Sequence, residues 1–224
     1  MGLTKTNVMC TLLAAITLVA CKEHIDMGAR YVMKEETAYS YLCKHDRYSG
    51  YVDLLQKVPV SRLSSSNVGS LLSARGNFTV FAPDNDAIQQ YLDTLASKGI
   101  IDAPCWEGFR DSSSLDSIRK VIVYNSIING GDHLAAYDVA QFPINDGGEF
   151  PLNNMYDRKL IVNYFDDPDS ITINGALMDE RNNNIRVLNG FIHNVHSVVA
   201  PTNNTLGTLL NTIGDLAGAG NHVC

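Results

Sequence analysis

The chain carries no CxxC pair and no His-rich spacing, which removes the common zinc patterns. It also lacks a Gly-x-Ser-x-Gly elbow, a His-Glu-x-x-His pair, a P-loop and a dinucleotide fingerprint. Asp, Ser and His residues are scattered without a spacing that would join them. An enzyme reading therefore rests on nothing positive, and no catalytic residue, metal ligand or cofactor is assigned. Lys and Arg number 17 against 24 Asp and Glu, for a formal net charge of -7, and no basic cluster stands anywhere. Phosphate backbones need a basic surface, so nucleic acid is excluded as a partner. No repeat of solenoid length is present. What is present is 45% apolar residues over 224 positions, normal for a globular domain and too many for disorder.

The N-terminus has one cation, Lys5, and then an apolar run from Val8 to Ala20. The run falls short of the roughly 20 residues a membrane-crossing helix requires and matches the core of a secretory signal. It ends in Leu18-Val19-Ala20-Cys21, which resembles the bacterial lipobox. That resemblance implies cleavage before Cys21 and lipidation of its sulfur, so residues 1–20 are expected to be a signal peptide and 21–44 a lipidated tether. The following "KEHID" resembles the surface-export signal of Bacteroidetes lipoproteins, which implies an outer-membrane anchor facing outward. Acyl chains contribute roughly 0.8 kcal/mol per buried methylene, so more than one chain anchors stably without a spanning helix. Of five cysteines, Cys10 leaves with the signal. Cys43, Cys105 and Cys224 remain, leaving a single disulfide open in an oxidising compartment.

Along the rest of the chain the hydrophobic period changes once. Tyr51, Leu54, Leu55 and Val58 follow helical spacing and stop at Pro59. Val68, Leu71 and Leu72 form a short amphipathic segment. Phe78 to Phe81 is a strand by propensity, ended by Pro83. Asp84 then stands at an N-cap position before Ile88, Tyr91, Leu92 and Leu95, with Asp86 in the first turn and Gly99 at the close. Ser114 is placed to cap a further helix with apolar face Leu115, Ile118, Val121 and Ile122, and Ile127 as a further candidate. After Gly130-Gly131 the period becomes two: "EFPLNN", "KLIVNYF", "SITING", "NIRVLNG" and "GFIHNVHSVV" are short strands between Asn, Asp, Gly and Pro turns. Helices first and strands later predict an α+β domain with mostly antiparallel sheets. One apolar helical stretch is expected in the tail, 202–224.

Two stretches, "TVFAPDNDAI" from Thr79 and "NGFIHNVHSVV" from Asn189, resemble the two marker boxes of the fasciclin (FAS1) domain family. Between them "LDSIRKVIVYNSIING" resembles that family's middle helix, and "SITINGALM" with "NNNIRVLNG" resembles its paired strands. The likeness covers about residues 45–201. It implies a FAS1-like α+β fold, a wedge of mostly antiparallel sheets with helices packed on them. It also implies non-catalytic adhesion to a surface or matrix protein or glycan. The alternative is an accessory lipoprotein of an outer-membrane glycan-uptake system. In animal members a Tyr-His pair of the middle segment is linked to integrin binding. Here those positions read Tyr124-Asn125, without the histidine.

The boxes supply the structural marker residues Thr79, Asp86, Asn189, Gly190 and His193. His193 and His196 are an odd number apart, so on a strand they face opposite ways and cannot share a metal. His193 shares a face with Phe191 and Val195. It is expected to be a core histidine bonded across to the first box, at Thr79 or Asp86, because a buried ring must find partners. Trp106 and Phe109 lie in a loop, where they either stack on a ligand or fold onto the core. Asp166-Asp167-Pro168-Asp169 is turn chemistry, with a calcium loop as the competing reading.

Overall fold

The computed structural model describes residues 36–61, 63–131, 136–165 and 170–199. The signal segment, Cys21, most of the expected tether, the Asp166–Asp169 loop, Cys224 and the expected tail helix lie outside the described residues.

The first described element corrects the tether boundary. Helix α1, Ala38–Lys44, is capped by the Thr37 hydroxyl, which accepts from Ser40 N–H. Ala38 and Leu42, four apart on one face, are fully buried, and Leu188 N–H donates to the Glu36 carbonyl at 2.8 Å. Residues 36–44 are therefore part of the domain. Helix α2, Ser49–Lys57, buries Tyr51, Leu54 and Leu55. Helix α3, Val68–Ser73, starts at an Asn67 cap.

Strand β1, Phe78–Pro83, is buried throughout and runs into helix α4, Asn85–Ser97. The Asp84 carboxylate caps that helix by accepting from Ala87 N–H at 2.9 Å. Gly99, at φ 70°, closes it in the left-handed conformation. Helix α5, Ser112–Asn125, is capped by Asp111 rather than by Ser114. Ser114 is the donor, through both N–H and hydroxyl, because the charged carboxylate is the stronger acceptor. Ile127 does not extend this helix. It opens strand β2, Ile127–Asn129.

Six more strands follow: β3 Gly148–Asn153, β4 Lys159–Tyr164, β5 Ile171–Ile173, β6 Ala176–Leu177, β7 Ile185–Val187 and β8 Gly190–Val195. They form two four-stranded sheets, ordered β2-β1-β8-β7 and β3-β4-β5-β6. All pairings are antiparallel except β1 with β8, which run parallel with Phe81 opposite His193. Asn174 and Gly175 join β5 to β6 with φ 49° and 83°. Positive φ at both central positions is the two-residue turn whose twist matches the flanking strands.

Side-chain alternation on the β1/β8 pair divides the interior in two. Phe78, Val80, Ala82 and Ile192 face the helices and join Tyr51, Leu54, Leu92 and Ile122. Phe81 and Val195 face the second sheet and join Phe142, Phe150, Leu160, Val162 and Ile173. A parallel pair covered on both faces has no solvated side, so Thr79 of β1 and His193 and Asn194 of β8 are as buried as their apolar neighbours.

Candidate functional site

The β1/β8 junction holds the marker residues. His193 is fully buried, with its ring stacked on Phe81 at 5.4 Å and edge-on to Phe142 at 5.1 Å. The bond expected to Thr79 or Asp86 is not made. The imidazole Nε2 lies 3.0 Å from the Tyr137 carbonyl, and Nδ1 lies 3.2 Å from Asn184 N–H. A carbonyl can only accept and an N–H can only donate, so these partners assign the neutral tautomer with the proton on Nε2. Burial disfavours the cation and pushes the His193 pKa down to about 4. Thr79 is also buried, but its hydroxyl oxygen accepts from Tyr137 N–H at 2.8 Å. Both boxes thus grip one residue of an intervening segment, by its N–H and by its carbonyl. Asp86 lies exposed in the first turn of α4, where it lines a cleft with His196 rather than bonding to His193.

Asn189 and Gly190 lock the other end of the junction. The buried Asn189 amide oxygen accepts from Ala38 N–H at 2.8 Å, and its nitrogen donates to the carbonyls of Leu72 and Ala74 at 2.8 and 2.7 Å. One side chain therefore ties the start of α1 to the end of α3. Gly190 has φ 145°, and a Cβ there would lie 1.8 Å from the Phe78 carbonyl oxygen, so only glycine fits.

His196 sits on the far side of the strand end and is solvent-exposed. It borders an open cleft of about 590 Å³ with Arg47, Asp84, Asp86 and Asp93. Its Nδ1 is 4.0 Å from Asp84 Oδ2. Both Asp84 oxygens are engaged, Oδ1 with the helix cap and Oδ2 with the Arg47 guanidinium at 3.2 Å. Arg47 also reaches the Asp179 carboxylate at 3.4 Å. Donors from Asn182, Arg181 and Asn194 hold that carboxyl far below the usual range despite burial. The arrangement is a capped helix start with an ion pair across it. Among the described residues no group of three or more His, Cys, Asp or Glu side chains is placed to hold a metal ion.

A second cleft, about 660 Å³, lies among the end of α2, the segment after it, α5 and the turn that follows β3. Three cations line it, Lys57, Arg119 and Lys120, against one carboxylate, Asp116. The Lys120 ammonium is 4.7 Å from the Tyr124 ring and 5.6 Å from the Tyr156 ring. These rings meet edge to face at 5.4 Å. Tyr124 is anchored by its hydroxyl, 2.8 Å from the carbonyls of Pro59 and Val60. Asn125, at the position lacking the histidine, is buried. Its Nδ2 donates to Val121 and its Oδ1 accepts from Asn154. Asn154 in turn accepts from Tyr156 N–H at 2.9 Å, so Asn125 helps to hold the turn that presents Tyr156.

Trp106 and Phe109 are half-buried, stacked on each other at 6.1 Å, and packed against the helical core. The Arg119 guanidinium covers Trp106 at 5.8 Å. The pair rests on the core with one side and stays partly exposed with the other. Cys43 and Cys105 are free thiols and do not pair with each other. The cleft's cations and Tyr156 are not singled out in the sequence reading. The signal present there was local: Lys120 and Tyr124 are four apart on one helix, a spacing that stacks side chains.

No protein-family model matches the chain. No curated protein matches it either. Among solved structures it is similar to a FAS1 domain pair from the insect cell adhesion molecule fasciclin I, with a TM-score of 0.51 and 16% identity. The match covers 74% of this chain, which spans about half (51%) of that structure's length. The chain has a FAS1-like α+β fold.

Proposed function

We propose that this FAS1-like domain is a non-catalytic binding module displayed at the cell envelope, an adhesion or ligand-binding protein anchored to the outer membrane through a lipidated Cys21. The observation that carries the reading is the state of His193. The one histidine in the marker boxes' shared sheet is sealed, neutral and bonded through both ring nitrogens, so it is unavailable for proton transfer to a bound molecule. The similar fold of a cell adhesion molecule supports the same class. The half-open cationic cleft gives such a module a place for a ligand.

Two experiments test it. Full-length protein immobilised by a C-terminal tag should retain whole cells, or material shed from cell surfaces, above an unrelated lipoprotein of equal charge. Equal retention would defeat the binding reading. Cys21→Ala should move the protein out of the membrane fraction and abolish its labelling by a radioactive fatty acid. Unchanged labelling would remove the anchor.

A further inference from the structure

The Lys57–Tyr156 cleft differs in charge from the molecule that carries it. The chain as a whole is at -7, yet this lining has three cations and one carboxylate. The cations are not equally committed. Lys57 pairs with Asp53 at 2.7 Å, and Arg119 touches Asp116 at 3.3 Å through Nη1. The Arg119 Nε, however, is buried without a hydrogen-bond partner among the described residues. Lys120 has no carboxylate partner among them and rests only on two tyrosine faces. Lys120, without a carboxylate partner among the described residues, and Arg119, held only by one carboxylate oxygen and a ring face, both line the cleft and leave it a surplus of N–H donors for an anion.

The rest of the lining defines what carries the anion. Ser61, Ser112, Ser113 and Ser117 supply hydroxyls around the cations, and the half-buried Tyr156 supplies ring surface. Hydroxyls and a ring face suit a sugar. The acidic remainder of the protein repels any long polyanion, nucleic acid included, so the cleft suits a short acidic unit, and an acidic peptide has no polyhydroxyl ring to match the serines and Tyr156. We propose that this cleft binds a carboxylate- or sulfate-bearing sugar unit of an acidic glycan. Lys120 and Arg119 take the anionic group, and Tyr156 lies against the ring. The inference rests on the binding-module reading and names that module's ligand class.

The test titrates the full-length protein with four probes: a galacturonate oligomer, a sulfated glycosaminoglycan oligomer, a neutral cello-oligosaccharide and an oligo-glutamate peptide. One of the acidic oligosaccharides should bind roughly tenfold or more tighter than the neutral one, and binding should weaken as salt is raised. The two acidic sugars separate carboxylate from sulfate recognition. Lys120→Gln and Ser117→Asp should each weaken that binding roughly tenfold. Lys98→Gln, which removes the same charge from the end of α4, should leave it unchanged. The inference is overturned if the neutral sugar binds as well, if oligo-glutamate binds tighter, if no acidic sugar binds, or if both cleft variants bind like wild type. Cell-surface retention is measured on the same samples. Retention that survives Lys120→Gln overturns this inference and spares the module reading, whereas no retention by wild type overturns the module reading itself.

Discussion

The β1/β8 junction and the Lys120 cleft treat polar side chains in opposite ways. At the junction, the His193 ring and the Asn189 amide bond only to backbone groups and the Thr79 hydroxyl accepts from Tyr137 N–H, and although the Asn194 Oδ1 has no partner among the described residues, it is sealed from solvent. In the cleft, Arg119 keeps an unmatched Nε and Lys120 has only ring faces for company. A buried side chain bonded internally is scaffold, and one with capacity left over at an open cleft can recognise something else. Thr79, Asn189, Gly190 and His193 therefore belong to the frame, Asp86 stays exposed outside it, and the residues of the proposed binding cleft lie outside both boxes.

Substitutions on the two sides should separate by size. Gly190→Ala forces a Cβ into the Phe78 carbonyl at the parallel seam and should cost more than about 4 kcal/mol. The expected outcome is no soluble folded protein on expression. His193→Ala removes a ring packed between Phe81 and Phe142 and leaves the Tyr137 carbonyl and Asn184 N–H unpaired. Urea unfolding should show a loss of about 4 kcal/mol. A variant as stable as wild type would dissolve the comparison.

Acid should act on the junction next. His193 titrates near 4 when folded, against about 6.5 in an unfolded chain. Between those values the unfolded state binds the extra proton, so stability falls as pH drops from about 6.5 to 4 and levels off for this group below that. The loss amounts to roughly 3 kcal/mol. Asp179, held low by its donors, contributes its own loss only below the ordinary carboxylate range. Melting curves across this window should show the His193 slope, and His193→Gln should flatten it. The smallest stability effect belongs to the cleft: Lys120→Gln should change unfolding free energy by less than about 0.5 kcal/mol, while changing binding.

Much of the frame was legible because local chemistry and global fold agree there. Asp84 as a cap, Gly99 at the close of the same helix and the switch from helical to alternating period all follow from short stretches. What escaped depends on contacts between distant segments. Helix α1 is seven residues long, and only two buried positions mark it, so its tyrosines and polar residues read as tether. Ile127 continued the apolar face of α5, and only its antiparallel register with Val80 makes it a strand. The His193 partner is a backbone carbonyl 56 positions away in a segment without periodicity, and backbone groups leave no mark in a sequence. The cleft joins Lys57, Lys120 and Tyr156 from three elements, a convergence that no single stretch can display.

The most direct test of the sealed junction is an NMR titration of the His193 ring nitrogens. The account predicts a neutral imidazole protonated on Nε2 down to a midpoint near pH 4, with a ring proton that exchanges slowly with solvent. A midpoint near 6.5 with rapid exchange would show a solvated histidine free for chemistry and would contradict it.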